Sequence, residues 1–209
     1  MMIQVKDVSL TLNKRQILKN ISLKLDQGKI YGLVGNNGSG KTMLMKCMCG
    51  FVKPTNGLVM ADGKIIGKDI DYLPDVGIII ETPGFIPFYS GLRNLKVLAG
   101  IQNKIAERDI IDAMERVGLD PNLNLPVKKY SLGMRQRLGI AQAIMENPDI
   151  LILDEPMNGL DKHGVEEIRN LLISLQALDK LILIASHNGE DIRILCDKVY
   201  KMENGEIEV

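Results

Sequence analysis

Eight residues, Gly35-Asn36-Asn37-Gly38-Ser39-Gly40-Lys41-Thr42, constrain the fold of this chain more than any others. They have the spacing Gly-x-x-x-x-Gly-Lys-[Ser/Thr]. They lie between an apolar run, Ile30–Val34, and a helical stretch that begins near Lys41. Successive backbone N–H groups can wrap a phosphate only where glycine lets the chain come close. The helix that follows adds the positive end of its dipole. Lys41 can then reach the β- and γ-phosphates, and the Thr42 hydroxyl can ligate Mg2+. A strand, a glycine-rich loop and a helix in this order point to a parallel α/β sheet that binds a nucleotide. The helix is apolar almost all round (Met43, Leu44, Met45, Cys47, Met48, Cys49), so its methionines are expected in the core.

The rest of the pattern agrees with a parallel sheet. Five runs read as strands: Ile30–Val34, Val76–Ile80, Ile150–Leu153, Leu181–Ala185 and Lys198–Met202. The first four are apolar at every or nearly every position, as strands covered on both faces should be. They lead into Gly35, Glu81, Asp154-Glu155 and Ser186-His187 respectively. Ligands of open α/β sheets bind outside the carboxyl ends of the strands. Residues 3–30 alternate (Ile3, Val5, Val8, Leu10, then Ile21, Leu23, Leu25), which reads as antiparallel strands. Asn204-Gly205 between Val199–Met202 and Ile207–Val209 predicts a terminal hairpin. Residues 88–147 are largely helical in pattern. Ile110, Ile111, Met114 and Val117 form one apolar face, closed by Gly118 and Asp120-Pro121. The expectation is a P-loop NTPase core with a mostly parallel sheet, an N-terminal antiparallel β subdomain and an inserted helical subdomain. Residues 1–209 form one domain, with the core at about 1–81 and 148–209 and the helical part at about 82–147.

Composition removes other classes. At 209 residues, 45% apolar and 25% charged, the chain is of ordinary globular make-up. Lys+Arg and Asp+Glu both number 26, so the basic excess of a nucleic-acid binder is missing and no nucleic-acid partner is expected. The longest apolar runs are too short to span a bilayer. Lys6 and Asp7 interrupt the first apolar stretch, so a soluble, intracellular protein is expected. Cys47, Cys49 and Cys196 form no CxxC pair and read as small buried side chains. With two histidines, His163 and His187, a histidine-rich structural metal site is not expected.

Two further motifs carry chemistry. Ile150-Leu-Ile-Leu-Asp154-Glu155 is a buried strand that ends in two acids. Asp154 suits the carboxylate that supports Mg2+ in P-loop NTPases, and Glu155 would sit beside the γ-phosphate as general base for water. Tyr130-Ser131-Leu132-Gly133-Met134-Arg135-Gln136-Arg137 reads as a serine N-cap opening a helix to about Glu146, stopped by Asn147-Pro148. Ser-x-Gly-x-x-Gln-Arg about twenty residues ahead of an Asp-Glu strand resembles the signature of ATP-binding cassettes. The order continues with Gly159-Leu160-Asp161 and Ser186-His187. On these motifs the chain resembles, over essentially its whole length, the ATPase subunit of an ABC transporter.

The resemblance implies two copies sandwiching two ATP molecules. In each site Gly35–Thr42 of one copy would face Ser131, Gly133 and Gln136 of the other, while His187 holds the γ-phosphate and the attacking water. It implies ATP and Mg2+ as cofactors, with Thr42, Glu81 and Asp154 near the metal. It also implies a polytopic permease as partner, which would place the subunit on the inner face of the cell membrane. Two positions depart from the family's usual pattern. Glu81, in Ile80-Glu81-Thr82-Pro83, stands where transporter ATPases usually have Gln. With Tyr-Ser-Leu-Gly-Met, this resembles the bacitracin- and lantibiotic-type exporters associated with antimicrobial-peptide resistance. The family's adenine-stacking aromatic has no counterpart near Leu12. Phe85, Phe88 and Tyr89 read either as core of the helical part or as a groove for a short helix of the membrane partner. The resemblance favours the groove. The alternative function is a soluble ABC ATPase outside transport; such proteins typically carry two cassettes or a long coiled-coil insertion, and this chain has neither. A purely regulatory nucleotide binder is expected to have lost Glu155 or His187.

Overall fold

The computed structural model describes residues 1–208. Among the described residues, ten strands and six α-helices are arranged as two sheets and the helices around them. The antiparallel sheet has the order β2-β1-β4-β5 and is built from β1 (Met2–Leu12), β2 (Arg15–Asp26), β4 (Asn56–Ala61) and β5 (Lys64–Ile65). The six-stranded sheet has the order β10-β9-β3-β8-β7-β6. Its members are β3 (Ile30–Val34), β6 (Val76–Ile79), β7 (Ile150–Asp154), β8 (Leu181–Ala185), β9 (Lys198–Glu203) and β10 (Glu206–Glu208). All its pairings are parallel except β9 with β10. This is the expected α/β class, with an antiparallel sheet beside a mostly parallel core.

Strand alternation builds the layers. Ile150 and Ile152 of β7 and Leu181, Leu183 and Ala185 of β8 join one core with the antiparallel sheet and α1 (Lys41–Cys49). Leu151 and Leu153 of β7 and Ile182 and Ile184 of β8 point to the opposite face. There they join a second core with α2 (Gly91–Gln102), α3 (Glu107–Arg116), α4 (Leu132–Ile144) and α5 (Lys162–Gln176). Leu44, Met45 and Met48 of α1 are fully buried, and burial pushes the Cys47 thiol to about 11 and the Cys49 thiol to about 12. These thiols are inert core groups, as expected.

The hairpin Asp62-Gly63 between β4 and β5 has positive φ at both residues, the geometry of a tight primed turn. Neither strand was expected. Gly57 interrupts the run with φ of 77°, where a Cβ would strike the Asp7 backbone. Asn204-Gly205 forms the terminal turn as expected, with φ of 49° and 82°. Val209, the last residue of the expected strand, lies outside the described residues. Of the expected apolar face of α3, Ile110, Met114 and Val117 are buried and Ile111 is half-buried. The expected strand to Ile80 ends at Ile79, so Glu81 lies in the loop beyond.

Where α4 crosses β6 the two backbones nearly touch: a Cβ at Gly77 would fall on the carbonyl oxygen of Ala143. A methyl there has to push α4 off the sheet. Gly77→Ala is expected to cost about 3 kcal/mol in urea unfolding, at the upper end of overpacking effects.

Candidate active site

The segments that follow β3, β6 and β7 line one cleft of about 670 Å³; Ser186 and His187, after β8, lie outside its lining. From β3 the chain enters the glycine-rich loop. Gly35, Gly38 and Gly40 have φ of 159°, 81° and 109°, and a Cβ at Gly35 would strike the Met202 carbonyl. The terminal hairpin thus backs the loop, and Gly205 N–H also donates to the Ser39 carbonyl at 3.0 Å. Lys41 Nζ donates to the carbonyls of Gly35 (2.6 Å) and Asn36 (3.2 Å). The buried Ser39 hydroxyl has no partner, in a loop whose glycines open the backbone to a bound anion.

Thr42, in the first turn of α1, donates its hydroxyl to Asp154 Oδ2 at 2.8 Å. Burial foremost holds the Asp154 carboxyl above the usual carboxylate range. Glu155 and Glu81 push the same way, while the Thr42 hydrogen bond and Lys41 oppose them. A divalent cation beside Asp154 would relieve that penalty. Thr42 and Asp154 are hard oxygen donors of the kind Mg2+ takes. Among the described residues no three His, Cys, Asp or Glu side chains converge on a self-sufficient metal site, so Mg2+ would also need nucleotide oxygens.

Glu155 and Glu81 follow β7 and β6 in the left-handed region, with φ of 50° and 63°. The other non-glycine residues with positive φ are Asn or Asp, apart from Lys14. Such a conformation costs of order 1–3 kcal/mol and is held only where surroundings dictate it. Glu155 Oε1 accepts from the His187 backbone N–H (3.1 Å) and from His187 Nδ1 (2.8 Å). The carboxylate can only accept, so this contact places the proton on Nδ1 and leaves Nε2 available. Glu81 lines the cleft while its Oε1 accepts from Lys46 Nζ at 2.7 Å.

The signature residues are brought in only partly. Ser131 caps α4, its hydroxyl accepting from Met134 N–H at 3.1 Å. Gly133 packs on the Gly159 carbonyl, where a Cβ would come within 2.8 Å. Leu132, Arg135 and Gln136 line the cleft; Ser131 and Gly133 do not. Gln136 Nε2 donates to the carbonyls of Glu155 (3.2 Å) and Pro156 (3.1 Å), so within one chain it ties α4 to the turn after β7. His163 sits near the start of α5 and pairs with Glu167 one turn on.

Residues 18–158 match the ABC transporter family. The chain belongs to that family. An ABC transporter ATP-binding protein of Bacillus subtilis, YybJ, is 44% identical over 99% of this chain and 95% of its own length. The bacitracin transport ATP-binding protein BcrA of Enterococcus faecalis is 40% identical over 98% of this chain and 67% of its own length. A bacterial ABC transporter cassette solved as a dimer superposes with a TM-score of 0.88, at 23% identity over 99% of this chain and 97% of that one, which shows the shared fold. The cassette is thus an ATP-binding, ATP-hydrolysing subunit of the transporter type. The alternative of an ATPase outside transport is set aside, because both curated relatives are transporter ATP-binding proteins.

Three residues of the cassette's cleft, Arg15, Ile17 and Asn158, have no signal in the sequence, and neither does Lys46, which pairs with Glu81 at the cleft wall. Arg15 and Ile17 lie on one face of β2 beside the glycine-rich loop, and both line the cleft. Arg15 pairs with Leu12 across a turn at Asn13-Lys14. Leu12 itself is 40% exposed and outside the lining, and among the described residues no aromatic ring lines the cleft. A stacked ring is worth about 1–3 kcal/mol per base. Without one, ATP and GTP are expected to displace a fluorescent nucleotide with affinities within about tenfold of each other. A preference for ATP on the order of several hundredfold would mean that another side chain supplies the platform.

Proposed function

We propose that this cassette hydrolyses Mg2+-ATP to drive a separate polytopic permease that exports antimicrobial peptides of the bacitracin or lantibiotic kind. Residues 1–209 act as one ABC ATPase domain, with about 82–147 as its helical part. The cassette works at the inner face of the membrane through the permease; among the described residues no helix is long and apolar enough to cross a bilayer. The observation that carries the hydrolytic reading is the 2.8 Å contact of His187 with Glu155, which lines the same cleft as the glycine-rich loop. The peptide reading rests on the 40% identity to BcrA and on Glu81.

In this reading Gly35–Thr42 bind the phosphates, with the Ser39 hydroxyl and Lys41 Nζ donating to their oxygens. Thr42, Asp154 and Glu81 would hold Mg2+, which would neutralise phosphate charge as water attacks in line. Glu155 Oε1 stays with His187, and Oε2 takes the proton of the attacking water. A second copy closes the site with the N-terminus of its α4, where Ser131 and Gly133 present an anion-binding helix end. Within each copy Gln136 ties α4 to the turn after β7.

The permease docks on the loop between β6 and α2. Phe85 packs on the core beneath, while Phe88 is 72% exposed and Ile86 is exposed. Buried Asn94 sets the loop's shape: its Oδ1 accepts from Ile86 N–H at 2.7 Å and its Nδ2 donates to the Ile86, Tyr89 and Ser90 carbonyls. Such a rigid apolar anchor suits a short helix.

Glu155→Gln is expected to bind ATP, hydrolyse it roughly 10²–10⁴-fold more slowly and accumulate as an ATP-bound dimer on gel filtration. Turnover like that of the wild type would remove Glu155 as the base. Pull-down of the full chain from its own membranes should bring a polytopic protein, and Phe88→Ser should lose it while ATPase activity persists. Recovery of ribosomes or DNA in its place would refute the transport reading.

A further inference from the structure

Glu81 carries a charge that the family's usual glutamine lacks, beside the carboxylates of Asp154 and Glu155. It lies in a loop, its side chain is 64% exposed, and its backbone is held at φ of 63°. Nothing in its own segment keeps such a side chain at the cleft wall. The contact that does comes from α1. Lys46 Nζ donates to Glu81 Oε1 at 2.7 Å, and the Lys46 side chain is only 24% exposed. The Lys46 backbone is fixed in turn, because its carbonyl accepts from the N–H groups of Phe51 (2.9 Å) and Val52 (3.3 Å) at the end of the helix.

We propose that Lys46 is the positioning residue of Glu81: it grips Oε1 and so keeps Oε2 at the metal edge of the nucleotide cleft. The helix that carries Thr42 would then arrange both oxygen donors, Asp154 through the Thr42 hydroxyl and Glu81 through the Lys46 ammonium. This rests on the reading of the cleft as a Mg2+-nucleotide site. It makes Lys46 a determinant of how strongly nucleotide binding depends on Mg2+. With metal bound, the Glu81 carboxylate is a favourable oxygen ligand; without metal, it repels the phosphates.

A positioning role and a plain charge effect predict opposite signs. The readout is the ratio of ATP affinity in excess Mg2+ to ATP affinity in EDTA, measured with a fluorescent ATP analogue on the full chain. Were Lys46 only a nearby cation, Lys46→Met would weaken metal-free ATP more than Mg2+-ATP, because the metal-free ligand carries more charge, and the ratio would rise. Were it the holder of Glu81, Lys46→Met would release the carboxylate and the ratio would fall toward that of Glu81→Gln, by roughly three- to tenfold. Fixed charges act on a ligand additively, so the double-mutant cycle is also diagnostic. In the Glu81→Gln background, Lys46→Met should lower the ratio no further, and Lys46→Arg should keep the wild-type ratio. A ratio that rises in Lys46→Met, or that falls equally with Glu81 absent, overturns the proposal for Lys46. A ratio unchanged in Glu81→Gln removes Glu81 from the metal edge and Lys46 with it. A wild-type chain that binds no ATP refutes the nucleotide reading itself.

Discussion

Four parallel strands lie side by side in the order β3-β8-β7-β6, and because they run the same way all four end on one edge. Adjacent strands sit about 4.8 Å apart. Residues far apart in the chain are therefore delivered within side-chain reach of one another. Neighbouring β7 and β8 bring Glu155 to His187, and neighbouring β6 and β7 bring Glu81 to the same cleft as Asp154. The cleft follows from strand order, and strand order is held by the two apolar cores on either face of the sheet.

The helix after the glycine-rich loop is the second organiser. Its buried face anchors it between the two sheets, so its polar side chains act from a rigid base. Thr42 reaches over β8 to Asp154, Lys41 closes the loop on its own carbonyls, and Lys46 holds Glu81. Burial of Asp154 opposes its own charge, and so does the proximity of two more carboxylates. A cation beside Asp154 would relieve both penalties, which is the electrostatic ground for the proposed Mg2+ site.

Tightness elsewhere protects this arrangement. Arg137 donates to the Val117 carbonyl and pairs with Glu167 at 2.6 Å, joining α3, α4 and α5. Buried Asp191, in a short helix after His187 (Gly189–Leu195), accepts from Arg169 of α5 at 2.5 and 2.9 Å. These contacts fasten the helices that carry the signature and follow the histidine, so the residues of the cleft rest on packed supports.

The glycine spacing at 35–42, the apolar runs and the polar residues at their ends were legible in the linear chain, because strand burial and phosphate contact each demand particular residue types at short range. The core strands and the terminal hairpin, each a local pattern of apolar residues and turn glycines, were readable for that reason. Short β4 and β5 were not, since Gly57 and the brevity of Lys64–Ile65 hide the period. Nor were the partners of the site. Nothing about Lys46 in an apolar helix announces that it faces Glu81, 35 residues away. Nothing about Arg15 or Ile17 places them beside the phosphate loop, and nothing about Asn94 marks it as the staple of the aromatic loop. Residue type and spacing determined which chemistry the chain can perform. Only the stacking of the helices and the antiparallel sheet on the core decided which side chains meet across the cleft, because those contacts depend on packed surfaces that no local pattern encodes.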